Sequence, residues 1–219
     1  MLESIALKKR FLSNSSPYEI GFLLLGLLIQ IVVFAETQST VLSLISGLCG
    51  IFSVVLCAQR KISQFVFSFA QVITYTVIVL NAKLYGEVVE NIFYFVTMIV
   101  GMGIWMNGYD TDKQEISVKT LGIYQNASVA FLTLMGIIVM YLVLRRTDDP
   151  QPFLDAVSTV PAFTAQILMM LKYKENWWYW LTIDIAALFL WYNASNPLML
   201  AQYAFWTLNC IYGMVKWRN

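Results

Sequence analysis

The chain has no histidine and few charged residues. Of its 219 residues only 12% are charged, against about 25% in an average soluble domain. The lack of histidine excludes a Ser-His-Asp triad, an H-E-x-x-H zinc site and a haem held by histidine. No G-x-x-x-x-G-K-[ST] phosphate loop is present, so we expect no ATP-driven step. The net charge of +1 and the lack of a basic stripe disfavour nucleic acid as a partner.

Cysteines are also few. Cys49, Cys57 and Cys210 lie within apolar stretches without C-x-x-C spacing, and we interpret them as small buried side chains. A membrane-embedded enzyme would need a nucleophile–base pair or a metal cluster, and isolated carboxylates provide neither. We therefore predict no catalytic residue, no cofactor and no metal site.

Long apolar stretches dominate the chain, of which 59% is hydrophobic. Eight stretches of about 17–21 residues are each long enough to cross about 30 Å of hydrocarbon. They are residues 19–35, 39–58, 62–80, 86–106, 127–144, 153–171, 176–194 and 198–216. We predict an all-α membrane protein with eight transmembrane helices.

The first stretch has an alternative interpretation. Lys8, Lys9 and Arg10 precede an apolar run that ends at Val33-Phe34-Ala35, a pattern shared with cleaved signal peptides. Cleavage would leave seven spans. We favour an uncleaved helix because the polar leader is long and the rest of the chain needs no secretory signal.

Two segments spell the same pattern, G-M-x-x-W. They are Gly101–Trp105 and Gly213–Trp217, 112 residues apart, and each closes a run of three apolar stretches. Self-similarity at a long period indicates a duplication. The stretch 127–144 is then a connector that lets both copies keep one orientation, with a pseudo-twofold axis along the membrane normal. The predicted organisation is a leader with an additional helix (1–38), a first three-helix repeat (39–106), a loop with the connector helix (107–152), and a second three-helix repeat with the C-terminus (153–219).

The positive charges indicate an orientation. With a cytoplasmic N-terminus, eight alternating spans place all but three of the 14 Lys and Arg residues on the cytoplasmic side. The exceptions are Lys83, Arg145 and Arg146. By the positive-inside rule, both termini are predicted to lie in the cytoplasm.

Deep ionisable residues in the spans are all acidic. They are Glu87, Glu90 and Asp184, and no Lys or Arg lies deep enough to pair with them. Such groups are costly in a membrane and tend to face a cavity or the bundle interior. Carboxylates without a protein cation indicate a bound cation, a proton or a neutral acid. Glu87 is close to the end of its span, so Glu90 and Asp184 are the better candidates.

Asp184 follows two tryptophans at helical spacing. Trp177, Trp180 and Asp184 stand at i, i+3 and i+7, which places them within an arc of roughly 60°. Two indole rings beside an anion suit a flat, positively charged ring. The alternative role for tryptophans is an interfacial belt, which we assign to Trp178 and Trp191.

The predicted repeat aligns polar residues of the two copies. The aligned pairs, 112 or 113 residues apart, are Gln71 with Asp184, Phe67 with Trp180, Gln64 with Trp177, Glu90 with Gln202, Asn91 with Tyr203 and Thr97 with Asn209. Polar groups that converge from both copies near the axis make a binding site. The predicted substrate-binding residues are Gln71, Glu90, Asn91, Trp177, Trp180, Asp184, Gln202, Tyr203 and Asn209.

At these residues the chain resembles a known family. The segment Lys174-Glu175-Asn176-Trp177-x-x-Trp180-x-x-x-Asp184 is similar to the E-N-W-x-x-W-x-x-x-N signature of PnuC-type vitamin transporters. Lys61-Ile62-Ser63, Leu84-Tyr85-Gly86 and the closing G-x-x-x-W of both copies match the same family. The resemblance implies facilitated diffusion of nicotinamide riboside, a SWEET-like three-plus-one-plus-three fold, and a homotrimer in the bacterial inner membrane.

The same resemblance implies roles for individual residues. Trp177, Trp180 and Asp184 take the positions of the family's substrate contacts, and Asn91 takes the place of a glutamine. Asp184 departs from the commoner asparagine. This departure leaves thiamine open as the substrate, because both vitamins carry a cationic aromatic ring.

Overall fold

Eight helices and one short hairpin make up the described part of the chain. The structure, a computed structural model, describes residues 16–37, 40–81, 85–147, 152–193, 195 and 197–218. The helices are α1 (Pro17–Thr37), α2 (Val41–Ala58), α3 (Gln64–Asn81), α4 (Tyr85–Met106), α5 (Ile123–Leu144), α6 (Pro152–Met170), α7 (Asn176–Asn193) and α8 (Pro197–Lys216). Strands β1 (Tyr109–Asp110) and β2 (Glu115–Ile116) pair antiparallel.

Each predicted apolar stretch coincides with one helix. Among the described residues, six helices are long and apolar enough to cross a membrane, namely α1 to α6, with α4 counted from Val88. Helices α7 and α8 have 18 and 20 residues, but their many Trp, Tyr and amide residues lower their hydropathy. The helical membrane architecture is therefore confirmed, whereas the crossing of α7 and α8 stays a prediction. The leader (1–15), Lys83 and residues 148–151 lie outside the described residues.

The first compact unit contains α1, α2, α3, α4 as far as Met98, and the hairpin Tyr109–Ile116. Within this unit, α2 and α3 form the most extensive helix pair. Phe52 of α2 stacks on Phe67 of α3, with ring centroids 4.7 Å apart and planes at 16°. Phe67 aligns with Trp180 in the predicted repeat. In the first copy, therefore, the Phe52 ring stacks on the aromatic side chain at this position.

A left-handed residue ends α2. Arg60 has φ 61° and donates its backbone N–H to the carbonyl of Cys57 at 2.9 Å, while Lys61 donates to Leu56 at 3.0 Å. Such paired bonds satisfy the last carbonyls of a helix, although glycine is the usual left-handed residue there. The Arg60 guanidinium forms an ion pair with Glu115 of the hairpin, and this pair anchors the turn.

Helix α6 ends with the same geometry. Lys172 has φ 68° and donates its backbone N–H to Met169 at 3.0 Å, while Tyr173 donates to Leu168 at 2.9 Å. Each of these residues lies 112 positions after its counterpart in the turn that follows α2. A segment of the interhelical linker also reaches this turn, because Lys119 donates its N–H to the Lys172 carbonyl at 2.7 Å.

The second compact unit contains the end of α4 from Ile99, residues to Gly108, and the chain from Ser117 onward. Within this unit α5 packs on α6, α6 on α7, and α7 on α8. Most of α5 is exposed and apolar, which suits contact with lipid or another membrane-embedded surface. The hydroxyls of Thr133 on α5 and Thr164 on α6 lie 3.0 Å apart and join these two helices.

Candidate functional site

Helix α7 separates an exposed face from a buried face, as the sequence spacing predicts. Its exposed large side chains follow a helical period and are Trp178, Ile185, Phe189 and Tyr192. Trp177 and Asp184 are buried, with 3% and 6% of their surface exposed, and Trp180 is half-buried. The two tryptophans and the carboxylate thus share the face directed away from the exposed stripe. Trp178, at 60% exposure, has the position expected of a belt residue.

The Asp184 carboxylate has one hydrogen-bond donor from the neighbouring helix. Cys210 of α8 donates its thiol to Oδ2 of Asp184 at 3.1 Å, and both residues are buried. Among the described residues, no Lys or Arg forms an ion pair with Asp184. A buried carboxylate without a cation is unfavourable when ionised. Asp184 therefore offers an uncompensated acceptor to a positively charged group.

Trp177 packs against the second G-M-x-x-W segment. Its ring lies edge to face against Trp217, with centroids 5.6 Å apart, and its six-membered ring occupies the space where a side chain on Gly213 would lie. Trp105 of the first segment also contacts Trp217, at 5.9 Å between centroids. The indole N–H of Trp177 is buried without a hydrogen-bond partner among the described residues, which leaves a free donor.

Helix α8 brings three further predicted residues into the second unit. Tyr203 meets Trp206 edge to face, with centroids 4.9 Å apart, and Gln202 is half-buried beside it in sequence. Asn209 is buried and directly precedes Cys210, the donor to Asp184. The second unit therefore contains six of the nine predicted residues, distributed over the packed pair α7 and α8.

The other three predicted residues belong to the first unit. Asn91 is buried, and Glu90 accepts a hydrogen bond from the Tyr94 hydroxyl one turn later, at 2.5 Å. Gln71 is half-buried on α3, and its side chain lies within 3.6 Å of the position that a Cβ on Gly50 would take. Each of the three is at least partly buried in its own unit, as a polar group inside a membrane bundle is expected to be.

Most cations of the second unit lie in its loops, and Lys216 lies in the last turn of α8. Lys172 is in the turn after α6, where burial and, to a smaller extent, repulsion from Lys119 lower the pKa of its ammonium. The neighbouring Glu175 accepts a backbone hydrogen bond from Leu121 at 3.2 Å. In the part of the chain that the structure describes, no group of three Cys, Asp or Glu side chains could hold a metal ion.

Sequence reasoning missed the role of Cys210. The sequence predicts a small buried side chain at this position. Cys210 is buried, and its thiol also contacts the Asp184 carboxylate. The one signal in the sequence is its position next to Asn209 on α8. Because the pairing register of α7 with α8 is not encoded in either helix alone, this signal is too weak to have assigned the contact.

Known proteins provide an independent comparison. The family model described as nicotinamide mononucleotide transporter matches residues 40–219. The Haemophilus influenzae protein named nicotinamide riboside transporter PnuC is 30% identical over 214 residues, which cover 96% of this chain and 94% of that protein. The Neisseria mucosa protein of the same name is 30% identical over 222 residues, covering 96% of this chain and 84% of its own length.

A solved structure has the same fold. It is described as the crystal structure of the vitamin B3 transporter PnuC, and it superposes with a TM-score of 0.80 at 30% sequence identity. The match covers 97% of this chain and 95% of that chain. Together with the family model over residues 40–219, these similarities show that the protein belongs to the nicotinamide mononucleotide transporter family, whose members include the PnuC transporters.

Proposed function

We propose that this chain is a membrane transporter of nicotinamide riboside. The observation that carries the proposal is the buried Asp184 carboxylate, which shares a helix face with Trp180 and has no protein cation among the described residues. Nicotinamide riboside has a flat pyridinium ring, so it would supply both the missing positive charge and a surface for aromatic stacking. The names of the relatives in Haemophilus influenzae and Neisseria mucosa support the same substrate.

The family's description names nicotinamide mononucleotide, but the charge of the candidate site favours nicotinamide riboside. The two compounds differ by a phosphate, which carries about −1.5 to −2 charge at neutral pH. The predicted residues of the second unit include Asp184 and no Lys or Arg. A phosphate near this uncompensated carboxylate would meet repulsion without a guanidinium or ammonium to bind it. We therefore infer that the mononucleotide binds more weakly.

Thiamine is the second candidate, and the aspartate at position 184 leaves it open. Its thiazolium ring is also flat and cationic, so aspartate in place of the asparagine typical of PnuC-type signatures suits both vitamins. Only the riboside has a ribose and a carboxamide, which polar side chains recognise by hydrogen bonds. A site rich in amides and hydroxyls is therefore more specific for the riboside.

Within the site we assign different tasks to the two tryptophans. Trp180 is only half-buried, and its ring would stack on the pyridinium. Trp177 is packed against Trp217, so it would contact the ligand through its ring edge and its free indole N–H. Asp184 would oppose the positive charge. The ribose and carboxamide would be held by the remaining predicted residues, Gln71, Glu90, Asn91, Gln202, Tyr203 and Asn209.

The transport mechanism we propose is alternating access by two parallel three-helix repeats around this site, without coupling to an ion gradient. The matching turns at Arg60 and Lys172 support the duplication, because their left-handed residues and backbone hydrogen bonds recur 112 positions apart. The proposed arrangement has eight spans and both termini in the cytoplasm of a bacterium. The proposed assembly is a homotrimer. A reporter fused at the C-terminus tests the cytoplasmic location of that end. The mass of the protein in nanodiscs tests the homotrimer.

Calorimetry on the purified protein tests the substrate assignment. Nicotinamide riboside, nicotinamide mononucleotide and thiamine are titrated side by side under one set of conditions. We expect the riboside to bind more tightly than both competitors. Tighter binding of thiamine would reassign the substrate within the same site, and tighter binding of the mononucleotide would overturn the charge argument.

A further inference from the structure

The contact between Cys210 and Asp184 joins two residues of different helices inside the second unit. The thiol donates to Oδ2 at 3.1 Å, and the two side chains are 4% and 6% exposed. Residues buried to this extent exchange little with water, so the carboxylate depends on protein groups for its orientation. Among the described residues, the Cys210 thiol is the group that donates a hydrogen bond to the Asp184 carboxylate.

We propose that Cys210 is a positioning residue that sets the selectivity of the site for cations. This inference rests on the proposed function and deepens it. The thiol holds Oδ2 against α8 and so fixes the orientation of the carboxylate. The other oxygen, Oδ1, is then available to a ligand. A ligand with a positive ring then completes the electrostatic environment of Asp184, and an uncharged ligand of the same shape does not.

The chemistry of the donor explains why cysteine suits this position. A thiol is a weak hydrogen-bond donor, so it orients the carboxylate while neutralising little of its charge. An ammonium or guanidinium at the same place would form a strong charge-assisted bond and would remove the need for a cationic ligand. A methyl group would leave the carboxylate without its donor and free to rotate.

Two substitutions at this position separate orientation from packing. Cys210→Ala removes the donor, and Cys210→Ser keeps a donor of similar size. Net hydrogen-bond contributions of 0.5–1.5 kcal/mol correspond to about a 2- to 12-fold change in affinity. We expect Cys210→Ala to weaken binding of nicotinamide riboside by that factor and to spare its uncharged reduced form, whereas Cys210→Ser restores the preference. Cys57→Ala, a buried cysteine of α2, is the matched control and should leave both affinities unchanged.

The results distinguish this inference from the proposed function. If the wild-type protein does not bind nicotinamide riboside, the proposed function fails. If the wild type binds it and Cys210→Ala binds both forms as the wild type does, or weakens both equally, only the positioning role fails.

An infrared measurement on protein that retains Cys210 covers the case in which Cys210→Ala does not fold. In a Cys49→Ala/Cys57→Ala background, the S–H stretching band comes from Cys210 alone. Asp184→Asn replaces an anionic acceptor by a neutral one, so the band should move to higher frequency as the hydrogen bond weakens. A band that stays in place would show that the thiol does not bond to Asp184 and would overturn the inference.

Discussion

Trp217 meets Trp177 edge to face, with ring centroids 5.6 Å apart and ring planes at 86°. Trp217 closes the second G-M-x-x-W segment, and Trp177 is the first tryptophan of the W-x-x-W-x-x-x-D face. Gly213 lets this contact form, because a Cβ there would collide with the Trp177 ring. The second G-M-x-x-W segment thus packs directly against the candidate site through Trp217 and Gly213. This packing gives a physical reason for a glycine four residues before the tryptophan.

Substituting this glycine should therefore disturb Trp177. Gly213→Ala forces the rigid indole to move, and overpacking of this kind destabilises proteins by about 1–3 kcal/mol. We expect a lower thermal unfolding temperature in detergent together with weaker ligand binding. Gly103→Ala is the matched control, since nothing lies within 4 Å of a Cβ at that position and alanine favours a helix by up to about 1 kcal/mol. An unfolding temperature for Gly213→Ala at or above that of the wild type would mean that the close contact is absent.

Truncation of Trp180 tests ring stacking. Stacking of a base on an aromatic side chain is worth about 1–3 kcal/mol in nucleic-acid-binding proteins, which corresponds to an approximately 5- to 150-fold change in affinity. We expect Trp180→Ala to weaken riboside binding within this range while the protein stays folded. Trp178→Ala removes an exposed ring from the opposite face and should leave affinity unchanged. Equal effects of the two substitutions in calorimetry would return Trp180 to a general packing role.

The charge of Asp184 should separate cationic from neutral ligands. Asp184→Asn keeps the size and an acceptor oxygen but removes the charge. Exposed ion pairs contribute about 0–1 kcal/mol, and a pair in a partly dry cavity should contribute more. We expect a loss of at least about fivefold for nicotinamide riboside and little change for its reduced form. Binding of both forms at wild-type strength would show that the aromatic faces alone set the charge preference.

Helices and faces were predictable because they depend on local periodicity. All eight apolar stretches coincide with helices, and Trp177, Trp180 and Asp184 share one face of α7, as their spacing predicts. The structure adds that this face is the less exposed one. A membrane-length helix is predicted from the hydropathy of consecutive side chains alone. The residues that share a helix face are predicted from the rotation of 100° per residue alone.

The contacts between helices were not predictable in this way. The Cys210–Asp184 bond and the packing of Trp177 on Gly213 depend on how α7 and α8 are paired along their lengths. That register follows from the fit of many side chains across the interface rather than from either helix alone. For the same reason the sequence predicts that both indole rings face the ligand, whereas the structure packs Trp177 against Trp217.

Uptake into proteoliposomes tests the central claim most directly. Purified protein is reconstituted, and labelled nicotinamide riboside is supplied outside, with thiamine and nicotinamide mononucleotide as parallel substrates. We predict that the riboside equilibrates across the membrane without any ion gradient, that unlabelled riboside inside accelerates its exchange, and that Asp184→Asn slows its entry. Riboside entry no faster than in empty liposomes, with thiamine or the mononucleotide transported instead, would contradict the account.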